Sequence, residues 1–128
     1  MKFIIISNNP LVRAEYEGKY EVQFVEGTYH DVLTTTRDKC HAGHVLLSHP
    51  LSGSVKPNET LYKSIMVSKD AGAADTDSVI LIEEAVFTAE KFGPIRRKWR
   101  EREIEDFQLV DLTLIQSAVE SAANSLSQ

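Results

Sequence analysis

The chain has a single cysteine, Cys40, so no disulfide can form within it, and a lone thiol suits a reducing compartment. It also lacks net positive charge: 14 Lys and Arg stand against 19 Asp and Glu, a formal charge of −5. Neutralising duplex phosphates needs a basic face, so no nucleic-acid partner is expected. Long apolar runs are missing too. KFIIIS, after Met1, gives way at once to Asn8-Asn9-Pro10, too short a run for a signal-peptide core or a membrane span. The expected location is cytoplasmic, with no membrane partner. No G-x-x-x-x-G-K-[ST], G-x-G-x-x-G or G-x-S-x-G occurs, which removes the familiar NTPase, dinucleotide and serine-hydrolase signatures. No cofactor is expected.

What is present fits one small domain. With 128 residues, 42% of them hydrophobic, the chain can build one core, and residues 1–128 read as a single α/β domain. Phe3–Ser7 reads as a buried central strand and Leu11–Glu17 as a helix entered through Pro10 and ended at Gly18. Glu21–Glu26 alternates as a strand should. Thr28, with Asp31 three residues on, resembles a capping box opening a helix whose stripe is Tyr29, Val32, Leu33 and Thr36 and which runs to Gly43. Val45–Ser48 is expected as a third strand and Ser64–Ser68 as a fourth, either antiparallel on an edge or parallel after a crossover.

Val79–Phe92 reads as a helix with Ile82, Ala85, Val86, Ala89 and Phe92 inward, although Val79–Ile82 taken alone also fits a strand. After the break at Gly93-Pro94, Phe107–Val110 is expected as a short extended piece. Asp111 is expected to cap a last helix with Leu112, Ile115, Val119, Ala122 and Leu126 on its apolar face. Strands alternating with helices at this spacing predict a small three-layer α/β fold: a mostly parallel sheet of four or five strands with helices on both faces.

The stretch Ser48–Ser64, SHPLSGSVKPNETLYKS, is too rich in chemistry for a plain connector, and long loops in compact domains are uncommon unless they bind something. In open α/β sheets ligands collect beyond the carboxyl ends of strands, where strand order reverses. Asn8 and Asn9 follow the first strand and His49–Thr60 the third, so in a 2-1-3 order their loops would line one pocket. Ser52-Gly53-Ser54 can expose successive backbone N–H groups as an anion nest. Lys56 and Lys63 offer countercharge; Ser48, Ser52, Ser54 and Thr60 offer hydroxyls, and Asn58 an amide. His49 and Glu59 are the candidates for proton transfer, should the site be catalytic. The plainer alternative is that Pro50, Gly53, Pro57 and Asn58 only punctuate a loop.

The stretch HPLSGSVKPNETLYKS, together with ISNNPLV near the N-terminus and DFQLVDLTLI later, resembles the GrdX family, small bacterial proteins encoded beside glycine reductase genes. The likeness runs from Ser7 to about Ala118. It implies a setting, amino-acid fermentation by a cytoplasmic selenoprotein complex in anaerobes, and carries no catalytic residues across. Subunits of the glycine reductase complex are then the expected protein partners, and a small anionic metabolite the expected ligand.

Two further clusters have plainer readings. His30, His41, His44 and His49 fall close together around Cys40, yet match no established zinc spacing, and histidines near a helix C-terminus are favoured by the dipole alone. No metal is expected, and Cys40 at the negative end of a helix is a poor nucleophile. Arg96, Arg97, Lys98, Arg100 and Arg102 surround Trp99. They read either as a docking patch or mobile basic lid, or as a solvated helix paired with Glu101, Glu103, Glu105 and Asp106.

The leading expectation is a non-catalytic accessory or binding protein that recognises a small anionic ligand or partner segment through Asn8, Asn9 and the 48–64 loop. The alternatives are a small enzyme acting on an amino-acid-derived carboxylate or phosphate, with His49 or Glu59 moving the proton, and a protein–protein adaptor without a pocket.

Overall fold

Phe3–Ser7 forms β1, and all five of its residues are buried, as a continuous apolar run demands when a strand is covered on both faces. The computed structural model describes residues 2–51, 60–93 and 98–126. Asn9 caps α1, Pro10–Tyr16, accepting from Leu11 N at 3.0 Å, with Pro10 in the first turn where a missing N–H costs nothing. β2, Glu21–Phe24, lies parallel to β1. Thr28 opens α2, Tyr29–His41, through the anticipated capping box: Asp31 N donates to Thr28 Oγ1 at 3.2 Å, and Thr28 N to Asp31 Oδ2 at 2.8 Å.

Gly43 stops α2 at φ +106°, and a Cβ there would fall 2.0 Å from the Gly72 carbonyl oxygen, so both backbone and space demand glycine. β3, Ser64–Ser68, pairs antiparallel with β1, Ser7 opposite Ser64 and Phe3 opposite Ser68. Asp75 caps α3, Thr76–Phe92, accepting from Ser78 N at 3.0 Å. The stretch Val79–Ile82 is therefore helical. α4, Glu101–Leu126, completes the order.

The α/β class and the helices on both faces hold, but the sheet is smaller and more mixed than expected. Among the described residues it has three strands, in the order β2-β1-β3, one pairing parallel and one antiparallel. Val45–Ser48 is not a strand of its own. It runs beside β3, with Ser68 N donating to Val45 O and Leu47 N to Met66 O, both at 2.8 Å, yet forms only one isolated bridge, Leu46 to Val67. Hydroxyls take the other ladder positions: Met66 N donates to Ser48 Oγ and Val45 N to Ser68 Oγ, each at 2.8 Å, while Leu46 N donates to Ser78 Oγ at 2.9 Å. The neighbour of β1 on this side is thus 64–68, not 45–48.

The sheet divides the apolar interior in two. Ile4, Ile6, Ile65 and Val67 point to α2 and α3, meeting Val32, Leu33, Ile82 and Val86. Phe3, Ile5 and Met66 point the other way, to Val12 and Tyr16 of α1 and Ile115 and Val119 of α4. Period-two alternation on β1 and β3 therefore supplies both layers, and β2 adds Val22 on the α1 and α4 side.

The end of the chain departs furthest from expectation. Phe107–Val110 is helical, and Asp111 is no cap: it lies in the middle of the 26-residue α4, 4% exposed. The inward stripe of α4 passes straight through it.

Candidate functional site

Ser7 and Ser64 end β1 and begin β3 as a cross-strand pair on the α4 side of the sheet, and both are buried. Their hydroxyls lie 2.7 Å apart, and Asp111 reaches down to them from α4. Asp111 Oδ2 accepts from Ser64 Oγ at 2.7 Å and from Asn9 Nδ2 at 3.0 Å, and Oδ1 accepts from Ser64 N at 2.9 Å. Asn9 N in turn donates to Ser7 Oγ at 2.9 Å. Each donor in this set has an acceptor, which is what makes a buried carboxylate tolerable.

Lys63 lies next to this network and is itself 5% exposed. Burial holds its ammonium below the usual lysine range, against the opposing pull of Asp111. The mirror effect acts on Asp111: burial pushes its carboxyl above the usual range, opposed by Asn9, Ser64 and the Lys63 charge. The two charges make each other's burial affordable.

Beside them opens a groove of about 690 Å³ between α4 and the 47–51 segment, within the range of small-molecule sites. Lys63, Ser64, Ser48 and His49 line it, with Phe3, Leu47, Leu51 and Met66 as apolar wall and Leu114, Ile115, Ser117, Ala118, Ser121 and Ala122 from α4 opposite. Small residues at positions 117, 118, 121 and 122 leave the space open. His49 is exposed, and its Nδ1 lies 2.7 Å from the Leu51 carbonyl oxygen.

Of the residues singled out in sequence, Ser48, His49 and Lys63 come together in this groove. Asn8 and Asn9 are buried behind it, their amides turned to the chain itself. Asn8 Nδ2 donates to Gly27 O at 3.1 Å and Leu61 O at 2.9 Å, while Lys63 N donates to Asn8 Oδ1 at 2.9 Å. Asn9 Nδ2 donates also to Gln108 O at 2.8 Å. Thr60 is buried, its Oγ1 3.5 Å from Tyr62 N and O. Ser52, Gly53, Ser54, Lys56, Asn58 and Glu59 lie outside the described residues. Sequence reasoning missed Ser7, Ser64 and above all Asp111. The available signal was an aspartate falling on the apolar stripe between Gln108 and Ile115.

The histidines spread out rather than converge. His30 Nε2 lies 3.1 Å from Glu90 Oε1 and His41 Nε2 2.7 Å from Glu83 Oε1, tying α2 to α3, while His44 Nδ1 lies 2.7 Å from Ser68 O. Among the described residues no three His, Cys, Asp or Glu side chains are grouped to hold a metal ion. Cys40 is fully buried and its thiol is pushed up to about 11, chiefly by burial, as a packing residue's would be. In the basic stretch, Arg96 and Arg97 lie outside the described residues, and Lys98, Arg100 and Arg102 are exposed. Trp99 is half-buried, packed edge-on against Phe107 with ring centroids 4.7 Å apart.

No described helix is long and apolar enough to cross a membrane. Comparison with the curated proteins found no match, and comparison with the solved structures found none. The profile of one family, described as GrdX-like protein, matches residues 4–120, from the second residue of β1 to the last quarter of α4. With that match covering the sheet except Phe3, α1 to α3 and α4 as far as Glu120, the chain belongs to the GrdX-like protein family.

Proposed function

We propose that this protein is a non-catalytic accessory protein of the glycine, sarcosine or betaine reductase system, and that it binds a small anionic ligand in the groove between α4 and the two ends of the 48–64 loop. The observation that carries this reading is the groove itself: it is of ligand size, mostly apolar, and lined by Lys63 with Ser48, Ser64 and His49 around it. The family resemblance supplies the metabolic setting.

A thermal-shift screen tests the reading with glycine, sarcosine, betaine, acetyl phosphate, inorganic phosphate and short carboxylates. A true ligand at a hundredfold excess over its Kd stabilises the native state by about 2.7 kcal/mol. The shift should vanish in Lys63→Met and persist in Lys91→Ala, whose exposed lysine sits on α3 across the sheet. Absence of any shift across the panel would overturn the binding reading.

A further inference from the structure

The strand register orders the groove from one end to the other. Lys63 and Ser64 stand where β3 begins, beside Asp111; Met66 and Phe3 stand toward the opposite end of the sheet, where α4 has advanced from Leu114 to Ala122. Among the described lining residues the one charged side chain, Lys63, is therefore at one end, and along the rest only the hydroxyls of Ser48, Ser117 and Ser121 interrupt a mostly apolar wall. The nine-residue run of α4 from Leu114 to Ala122 spans about 12 Å, eight steps of 1.5 Å.

Among the described residues the charge at the Lys63 end is balanced rather than positive. Lys63 brings one positive charge, and Asp111, buried and held by three hydrogen bonds from Asn9 and Ser64, brings one negative. A dianion such as phosphate meets no net positive field there, and stripping its water is costly. A monoanion loses less hydration and can be met by one ammonium and neighbouring hydroxyls. The apolar walls then reward each methylene buried against Phe3, Met66, Leu114 and Ala118.

We propose that the groove is a site for a monocarboxylate carrying an aliphatic body, its carboxylate at Lys63 and its chain directed along α4 toward Ala122. Asp111 acts as the residue that sets selectivity against dianions. This rests on the reading of the groove as a binding site and narrows its ligand class.

The test is titration calorimetry on the full chain with acetate, butyrate, hexanoate, octanoate and decanoate, alongside 1-octanol and inorganic phosphate. Affinity should rise about fourfold per added methylene from butyrate to octanoate and level off once the chain outruns the groove. 1-Octanol should bind at least tenfold more weakly than octanoate, and phosphate should give no heat. Ala118→Phe, which fills the apolar section, should abolish the chain-length dependence, and Asp111→Asn should let phosphate bind. Affinity independent of chain length, phosphate binding to the unaltered protein, or octanol matching octanoate would each overturn the monocarboxylate assignment. Phosphate binding, or acetate binding as tight as that of octanoate, that is lost in Lys63→Met would leave the small-anion reading standing without it. Failure of every compound to bind would overturn both.

Discussion

Asp111 shows how much one side chain can organise. It sits in the middle of α4 yet bonds to both the backbone and hydroxyl of Ser64 and to Asn9, and Lys63 supplies the charge that makes its burial acceptable. Removing one partner of such a set leaves the others buried and unsatisfied, which costs far more than the set contributes when whole. Asp111→Ala should lower stability by about 3–5 kcal/mol in urea denaturation. The double variant Asp111→Ala/Lys63→Met should lose less than the sum of the single losses, because the stranded ammonium goes with its partner. Lys63, Ser48 and His49 were singled out in sequence because their residue types have little reason to cluster in a connector, and all three line the groove. Asp111 was not, since an aspartate just before an apolar stripe reads as a cap unless the stripe is followed upstream through Gln108 and Ile104. Asn8 and Asn9 were found in sequence for their position, and the structure gives their amides a holding task that residue type alone does not distinguish from ligand contact.

The elements were most readable where local chemistry decides them. The capping box at Thr28 and Asp31 fixes the start of α2, and Gly43 fixes its end. Gly43→Ala should destabilise by roughly 1–3 kcal/mol from backbone strain alone, with a further loss because its Cβ meets Gly72 backbone, whereas Gly72→Ala, with nothing within 4 Å of its added Cβ, should stay close to the unaltered protein. Comparing the two melting temperatures checks this. The 45–48 segment was less readable, because its apolar run has strand composition while Ser48, Ser68 and Ser78 hydroxyls take over bonds that a second backbone would make. The direction of β3 was open for a similar reason: nothing within SIMVS records which neighbour it will pair with, and the antiparallel choice depends on the intervening loop.

At the level of the molecule, the sheet is shared property. β1 and β3 each send alternate side chains into the layer with α2 and α3 and the layer with α1 and α4, so neither layer can be dismantled while the other stays intact. Unfolding should therefore be a single cooperative event: the urea transition followed by Trp99 fluorescence, at the start of α4, should coincide with that followed by far-UV circular dichroism. Separate midpoints would mean that the α4 layer melts alone. The three-layer arrangement was legible in sequence because burial on both faces writes itself as unbroken apolar strands, while strand count and polarity were not. There is a last consequence of placing Asp111 among apolar neighbours. A long helix whose inward residues repeat every three or four positions could settle equally well one turn up or down, a slip of about 5.4 Å. Such a slip would carry to the hydroxyl of Ser64 either Ile115, which has no acceptor, or Gln108, whose single neutral amide oxygen replaces neither the second carboxylate oxygen nor the charge that faces Lys63. The carboxylate thus acts as an address, admitting α4 at one position along the sheet and so fixing which of its residues face the groove.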